Sequence, residues 1–281
     1  MLQHHDMLVR LSFFFGILFL MLTWELFAPR RKITVSKTKR WVSNLSIVFI
    51  DSAIVRLLFP AAAVGVALYA EENKLGLFNQ TLHWNDGLAI VISVIILDFA
   101  IYLQHVMFHA VPLFWRVHRM HHIDLDFDVT TGVRFHPIEI LLSLFIKFCV
   151  IILVGAPALG VLIFEILLNA TSMFNHGNVR MPFILDKVLR YIIVTPDMHR
   201  VHHSDIPNET NSNFGFNFSI WDRVFGTYSS QPRLGHEKMT IGIKAIREFK
   251  YCINLLGMLW VPFIGENREY PINRRNNRDD E

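Results

Sequence analysis

The chain has 281 residues, with 27 Lys and Arg against 24 Asp and Glu for a formal charge of +3; 52% of it is hydrophobic and its mean hydropathy is +0.35. That is too apolar for an ordinary water-soluble domain, and several apolar runs approach or exceed the ~20 residues that cross a bilayer, so it reads as an integral membrane protein. The small net charge, with basic residues gathered in loops, gives no reason to expect a nucleic-acid partner. Cys149 and Cys252 lie in apolar surroundings and define neither a disulfide framework nor a cysteine metal site.

The first apolar run covers residues 7–28. It exceeds the ~7–15 residue apolar core of a signal peptide, and Ala28-Pro29-Arg30 is a poor cleavage site, so it reads as a retained anchor. Trp24, near its end, suits a membrane interface. Arg30, Arg31, Lys32, Lys37, Lys39 and Arg40 follow with no acidic residue among them. The positive-inside rule makes that loop cytoplasmic and puts the N-terminus outside. A second span over 42–69 contains Asp51 and Arg56, read as a structural polar pair turned into the bundle. The mixed charges of 71–86 suit the outer side. A third span begins near Gly87 and runs inward through Phe99, Tyr102 and Val106.

A polar stretch at 124–131 precedes Phe135-His136-Pro137. Residues 138–174 are apolar again, broken by Gly155-Ala156-Pro157. Each half has about 17 residues, which at ~1.5 Å per residue fits two spans or a re-entrant hairpin. Residues 183–194 alternate apolar side chains with Asp186, Lys187 and Arg190, the pattern of an interfacial helix. Residues 208–228 read as a loop with a short structured piece. Residues 251–264 are too short to span and predict a peripheral helix. The charged tail from Asn267 onward is expected to be mobile. The expected fold is an all-α integral membrane protein of four or five transmembrane helices, with a cytoplasmic-side helical cap. The expected divisions are N-terminal spans and loops over 1–85, a catalytic domain over 86–230, and a peripheral helix with charged tail over 231–281.

Histidine supplies the chemistry. Ten of the 14 histidines fall between His105 and His203, as His105-x-x-x-His109, His118-x-x-His121-His122 and His199-x-x-His202-His203, with His136 and His176 single between them. At this composition chance yields about 0.03 copies of His-x-x-His-His in such a chain. Residues three or four apart share a helix face, so each cluster projects together, and the topology above brings every cluster to one side of the membrane. Neutral imidazoles ligate zinc, copper, iron and nickel, and eight clustered ones are too many for one ion and suit two. His136 and His176 bring the candidate ligands to ten. Asp98, Tyr102, His105 and His109 form one stripe, so Asp98 and Tyr102 are candidates for supporting the ligands. Asp124, Asp126, Asp128, Glu139, Asp197, Asp205 and Asp222 lie near the clusters, unranked by sequence.

These boxes, laid over the spans, resemble the fatty acid hydroxylase/sterol desaturase superfamily of membrane di-iron oxidoreductases. Asp98-Phe99-x-x-Tyr102-x-x-His105, Arg134-Phe135-His136-Pro137, Asn175-His176-Gly177-Asn178 and Asn213-Phe214-Gly215 through Trp221-Asp222-Arg223-Val224-Phe225-Gly226-Thr227-Tyr228 are similar to it too, over about residues 90–230. Some lipid hydroxylases of that superfamily carry a His-x-x-x-His before the last box. Ser172 stands at the first position of that pair here, which leaves His136 as a substitute ligand. The resemblance implies two iron ions, zinc being a possible substitute metal, and dioxygen-dependent hydroxylation or desaturation of a C–H bond in a membrane lipid, such as a sterol or fatty acyl chain. It implies a site on the cytoplasmic side of a bacterial inner membrane or the endoplasmic reticulum. No dinucleotide fingerprint, Cys-rich cluster or haem domain is present in the sequence, so electrons are expected from an external donor, a reductase with a ferredoxin or haem protein. Arg116, Arg119, Arg134, Arg180 and Arg200 are candidates for docking such a donor or a lipid phosphate.

The alternative is a metal-handling membrane protein, a transporter or sensor that uses the histidines as binding sites. Transport favours polar residues along several spans. Away from the span ends only Asp51, Arg56, Asp98, Lys147 and Glu165 occur, scattered, which favours the oxidoreductase. A zinc hydrolase lacks its His-Glu-x-x-His.

Overall fold

Apolar side chains cover the outside of this chain as well as its inside. In a computed structural model that describes residues 2–80, 85–265 and 272, large side chains such as Phe15, Phe19, Phe49, Leu57, Phe145 and Leu153 point outward from long helices. In water each would cost about 25 cal/mol per Å² of apolar surface; against lipid the cost vanishes. Among the described residues, five segments are long and apolar enough to cross a membrane: Met7–Phe27, Lys37–Gln80, Asp86–Ala110, Pro137–Val154 and Ala158–Asn175. The molecule is a multi-pass integral membrane protein, all-helical, with no β-strand among the described residues.

The first span is α1 (Leu2–Phe27). The second is broken. Ser36 caps α2 (Lys37–Leu58) by accepting from Lys39 N, Phe59-Pro60 ends it, and α3 (Ala62–Glu72) continues in the same direction. Proline lacks the donor and clashes with the preceding turn, which accounts for the interruption. A short helix α4 (Leu77–Gln80) lies before the third span, α5 (Asp86–Ala110), which Asn85 caps. After Val111 the chain turns at Pro112 into α6 (Pro112–His122). The apolar run 138–174 resolves into two helices, α7 (Pro137–Val154) and α8 (Ala158–Asn175). At 18 residues each is about 27 Å long, close to the hydrocarbon thickness.

Contacts at the helix ends fix the topology. The end of α1, the start of α2, the end of α5, the start of α7 and the end of α8 all meet the histidine region. Glu25 accepts from Val129 N and Asn178 N, Arg40 pairs with Asp124, and His118 contacts Glu139. At the opposite end, Glu71 caps α8 by accepting from Ala158 N, and the turns at Gly76 and Gly155 touch backbone to backbone. Both glycines have positive φ, and a Cβ on Gly76 would lie 2.2 Å from Gly155 N, so only glycine fits. Between the two ends, Val64 and Ala67 of α3, Leu97 and Ile101 of α5, Ile151 of α7 and Phe164 of α8 form one apolar core.

Asp51 and Arg56 do not pair. Arg56 reaches Met7 of α1, while Asp51 is buried with Oδ1 lacking a hydrogen-bond partner. Five residues apart on a helix, they occupy different faces.

The described residues after α8 cap the site end. It contains α9 (Phe183–Leu189), α10 (Pro196–His202), α11 (Pro207–Thr210), α12 (Ile220–Val224), α13 (Gly235–Lys238), α14 (Phe249–Cys252) and α15 (Leu255–Trp260). The apolar face of α9 is exposed, as an interfacial helix requires. The peripheral helix expected over 251–264 is instead two short helices and a 3-10 turn, Val261–Phe263. Asn254 starts α15 by accepting from Leu256 N and Gly257 N, and Gly257 packs directly on the Lys250 backbone, so a continuous helix does not form. The charged tail read from Asn267 onward lies outside the described residues, Ile272 apart.

Four of the five arginines noted as docking candidates fasten this cap. Arg116 donates to Pro262 O, Arg119 to Val261 O, Arg134 to Met120 O and Cys252 O, and Arg200 to Gly177 O. Of the five, Arg180 is the one left at the surface.

Candidate metal centre

Nine histidines converge as two adjoining groups. His105, His109, His118, His122 and His202 form one; His121, His176, His199 and His203 form the other. Within each group the potential ligand nitrogens lie within 4.8 Å of one another, and all nine side chains are buried.

Helical spacing explains who meets whom. His105 and His109, one turn apart on α5, face the first group. On α6, His118 and His122 are also one turn apart and join them, while His121 projects to the second group. α10 and its cap mirror this: His199 and His203 serve the second group, and His202 crosses to the first. Each His-x-x-His-His box therefore sends its i, i+4 pair to one group and its middle histidine to the other. His176, the C-cap of α8, completes the second group.

The proton positions follow from the partners. His105 Nδ1 lies 2.8 Å from Phe214 O, His202 Nδ1 2.7 Å from Ser212 O, His176 Nδ1 2.8 Å from Ser172 O and His121 Nδ1 3.2 Å from Arg134 O. Carbonyls only accept, so Nδ1 carries the proton in each ring and Nε2 carries a bare lone pair. His118 Nδ1 faces Glu139 Oε1 at 2.6 Å, and His109 Nδ1 faces Asn211 Oδ1 at 3.1 Å. The Nε2 atoms then approach one another: His105 to His118 at 3.2 Å, His109 to His122 at 3.2 Å, and His176 to His121 at 3.1 Å. Where both Nδ1 protons are held by carbonyls, as in His176 and His121, two lone pairs face each other at that distance and repel unless a cation lies between them. With metal–nitrogen bonds of about 2.1 Å, ligands at right angles sit about 3.0 Å apart and tetrahedral ones about 3.4 Å. The observed spacing falls in that interval, so the residues fit a metal cofactor.

Burial also keeps the rings neutral. It pushes His118 and His176 down to about 3, and His121, His122, His199, His202 and His203 well below the usual histidine range, with neighbouring imidazoles adding to the effect in the last five. Neutral imidazole is the ligating form.

His136 stands outside both groups. It caps α7, its Nδ1 accepting from Ile138 N at 3.1 Å, which leaves Nε2 to donate to Leu259 O at 3.2 Å. Both nitrogens are engaged with backbone in a single tautomer. Ser172, in the position that a histidine pair would occupy, supports His176 through its carbonyl, and its hydroxyl donates to Gly132 O at 2.5 Å.

Of the carboxylates near the clusters, Glu139 contacts a histidine of the first group, His118; its place in the first turn of α7, three residues after His136, was the available signal. Several of the others build the frame. Arg40 makes a bidentate pair with Asp124 at 2.7 Å and reaches Asp128 at 2.6 Å, all fully buried. The two guanidiniums of Arg40 and Arg134 hold Asp124 at about 2 despite its burial. Asp126 accepts from Thr34 N and Val35 N. Asp222 accepts from Phe214 N and Gly215 N, and Asp98 accepts from Asn217 N, Phe218 N and Trp221 Nε1. Asp98 and Tyr102, whose hydroxyl meets Thr227 Oγ1 at 3.0 Å, therefore position the loop that supplies the Phe214 and Ser212 carbonyls, rather than the ligands directly.

The architecture is thus a helical membrane bundle capped by two histidine groups that could each hold a metal ion, and comparison with known proteins adds the family. Residues 90–227 match the family model described as fatty acid hydroxylase, which assigns that part of the chain to the family. Ornithine lipid hydroxylase OlsE of Rhizobium tropici is 30% identical over 193 residues, covering 68% of this chain and 55% of that one. Alkylglycerol monooxygenase of Xenopus tropicalis is 27% identical over 187 residues, 65% of this chain and 40% of the relative. The Homo sapiens alkylglycerol monooxygenase is 24% identical over 217 residues, 75% and 46% respectively. The chain spans about half the length of the curated relatives it matches. No solved structure matches the chain.

Proposed function

We propose that the chain is a dioxygen-dependent hydroxylase of a membrane lipid, its nine converging histidines holding two iron ions. The observation that carries this reading is the pairing of bare Nε2 lone pairs at 3.1–3.2 Å in each of two adjoining groups, His105 with His118 and His176 with His121. The names of the relatives, lipid hydroxylase and monooxygenase, favour oxygen insertion over desaturation. When bound, the di-iron centre would supply dioxygen activation and C–H oxidation, chemistry that side chains alone lack.

The chain's own residues do the rest. The carbonyls of Phe214, Ser212, Ser172 and Arg134 hold the protons on Nδ1, so the opposite nitrogen of each ring stays available. Glu139 accepts the His118 Nδ1 proton and raises that ring's donor strength. Phe135 stacks on His121 at 4.5 Å, Phe216 lies 6.1 Å from His105, and both rings join the apolar core of the spans. They exclude water on the bilayer side, the side from which a hydrocarbon chain reaches the site. The basic stretch from Arg30 to Lys39 supports a cytoplasmic location for this end. Electrons come from an external donor.

A metal transporter or sensor needs ligands that exchange with solvent or a polar path through the spans. All nine rings are buried, which disfavours that alternative.

The test compares lipid extracts of cells with and without the gene, grown under labelled dioxygen. One labelled oxygen in a lipid of the expressing cells is the expected result. Loss of two hydrogens without label means desaturation, and an unchanged lipid profile contradicts the oxidase reading.

A further inference from the structure

A cavity of about 440 Å³ lies on the cap where α1 emerges, outside both histidine groups. Two chain segments build its mouth. The bridge between Pro29 and Val179, with Arg30 N donating to Asn178 O and Arg180 N to Ala28 O, sets Arg30 and Arg180 side by side. Glu237 of α13 already reaches both guanidiniums, at 3.1 Å from Arg30 Nη1 and 3.5 Å from Arg180 Nη2, so the spacing of the two suits an oxyanion. That carboxylate is 67% exposed, and an exposed ion pair is worth only about 0–1 kcal/mol. A stronger anion displaces it readily.

His236 lines the same cavity and is the second sign of a missing partner. It is 4% exposed, yet neither ring nitrogen has a hydrogen bond, Asp197 Oδ2 standing off at 3.6 Å. A buried polar group left without a partner costs about 1–3 kcal/mol. A ligand oxygen in the cavity would accept the ring N–H. The other carboxylates there are already engaged: Asp197 with Arg200 and Arg30, Asp186 with Arg190 and Thr195.

The surroundings identify the bearer of that anion. Phe27 precedes Arg30 by three residues and Phe183 follows Arg180 by three, and both rings are among the most exposed in the molecule. Phe183 also lines the cavity and begins the exposed apolar face of α9, continued by Ile184, Leu185 and Val188. Guanidiniums at the end of a membrane span, flanked by outward-facing apolar side chains, sit at headgroup level. We propose that this cavity binds the phosphate of a membrane lipid, whose acyl chains lie along Phe27 and α9. Arg30 and Arg180 grip the phosphate oxygens and His236 donates to one of them.

The test uses the full chain purified in dodecyl maltoside micelles and a fluorescent phosphatidic acid. It needs neither turnover nor metal, so its result stands apart from the oxidase reading. Phosphatidic acid is expected to bind saturably, diacylglycerol with the same chains not to compete, and inorganic phosphate to compete at least about tenfold more weakly. Arg180→Glu is expected to weaken phosphatidic acid about tenfold or more, and Lys187→Glu, on the exposed surface of α9 outside the cavity, by less than about twofold. Equal binding by wild type and Arg180→Glu, equal loss in both variants, or inorganic phosphate as strong as the lipid would each overturn the proposal. Both changes are at exposed positions, and unchanged melting in lipid-free micelles confirms that the variants are folded.

Discussion

His118 Nδ1 lies 2.6 Å from Glu139 Oε1, joining the first turn of α7 to a ring at the heart of the histidine site. A carboxylate behind an imidazole strengthens it as a ligand, and such contacts typically contribute 10–100-fold in metal affinity. Glu139→Gln keeps an acceptor in place but removes the charge. The expected outcome is metal affinity about 10–100-fold weaker with the fold intact, read by chelator competition. Affinity equal to wild type would show that Glu139 does not act through His118.

His136 makes the opposite case. Both of its nitrogens are engaged with backbone, so His136→Ala is expected to leave metal content unchanged. Losing the α7 cap and the bond to Leu259 O should lower stability by about 1 kcal/mol. Metal analysis and a melting curve check the two halves, and a loss of metal would return His136 to the ligands.

Gly132 tests how the second group is held. A Cβ there would lie 2.4 Å from Ser172 O, the carbonyl that accepts the His176 proton, and 3.1 Å from His176 Nδ1 itself. Gly132→Ala must push α8 away or turn the ring. The expected cost is about 1–3 kcal/mol of stability together with weakened binding at the His176 group. A variant with wild-type melting and metal content would contradict that packing.

Acid should unfold the metal-free protein early. Burial holds His118 and His176 at about 3, against about 6.5 in an unfolded chain. Between those values the unfolded state binds more protons, so stability is complete above pH 6.5 and is lost as pH falls toward 3. Each such group contributes about 1.4 kcal/mol per pH unit. Outside the spans, Asp222, raised to about 6 by burial, works in the opposite direction over roughly pH 4 to 6, against the seven lowered histidines of the two groups that lie there. The melting temperature of chelator-treated protein should be level above pH 7 and fall below 6.5, and bound metal should move the fall to lower pH. A level curve down to pH 5 would contradict neutral buried imidazoles.

Much of this was legible in the sequence because both signals involved are periodic. Apolar runs of bilayer length located the spans, and histidines three or four apart had to share helix faces. What periodicity misses is long-range. Nothing local shows that His121 and His202 each cross to the other group, since that depends on the angle at which α6 and α10 approach. Arg40, 84 residues from Asp124, read as one more basic loop residue, whereas it is buried in the frame of the site. His136 looked like its neighbours until the acceptor at Leu259, 123 residues away, consumed its second nitrogen. The peripheral helix over 251–264 failed because Gly257 meets the Lys250 backbone, a contact that no pattern announces.

If the nine histidines hold two metal ions, counting the metal in the purified chain will show it. Elemental analysis of purified wild-type chain, reloaded anaerobically with ferrous iron, is expected to give two ions per chain. Removing two ligands from the four-histidine group, as His176→Ala with His203→Ala, should leave about one. One ion or none in the wild type, or two in the double variant, would contradict the account.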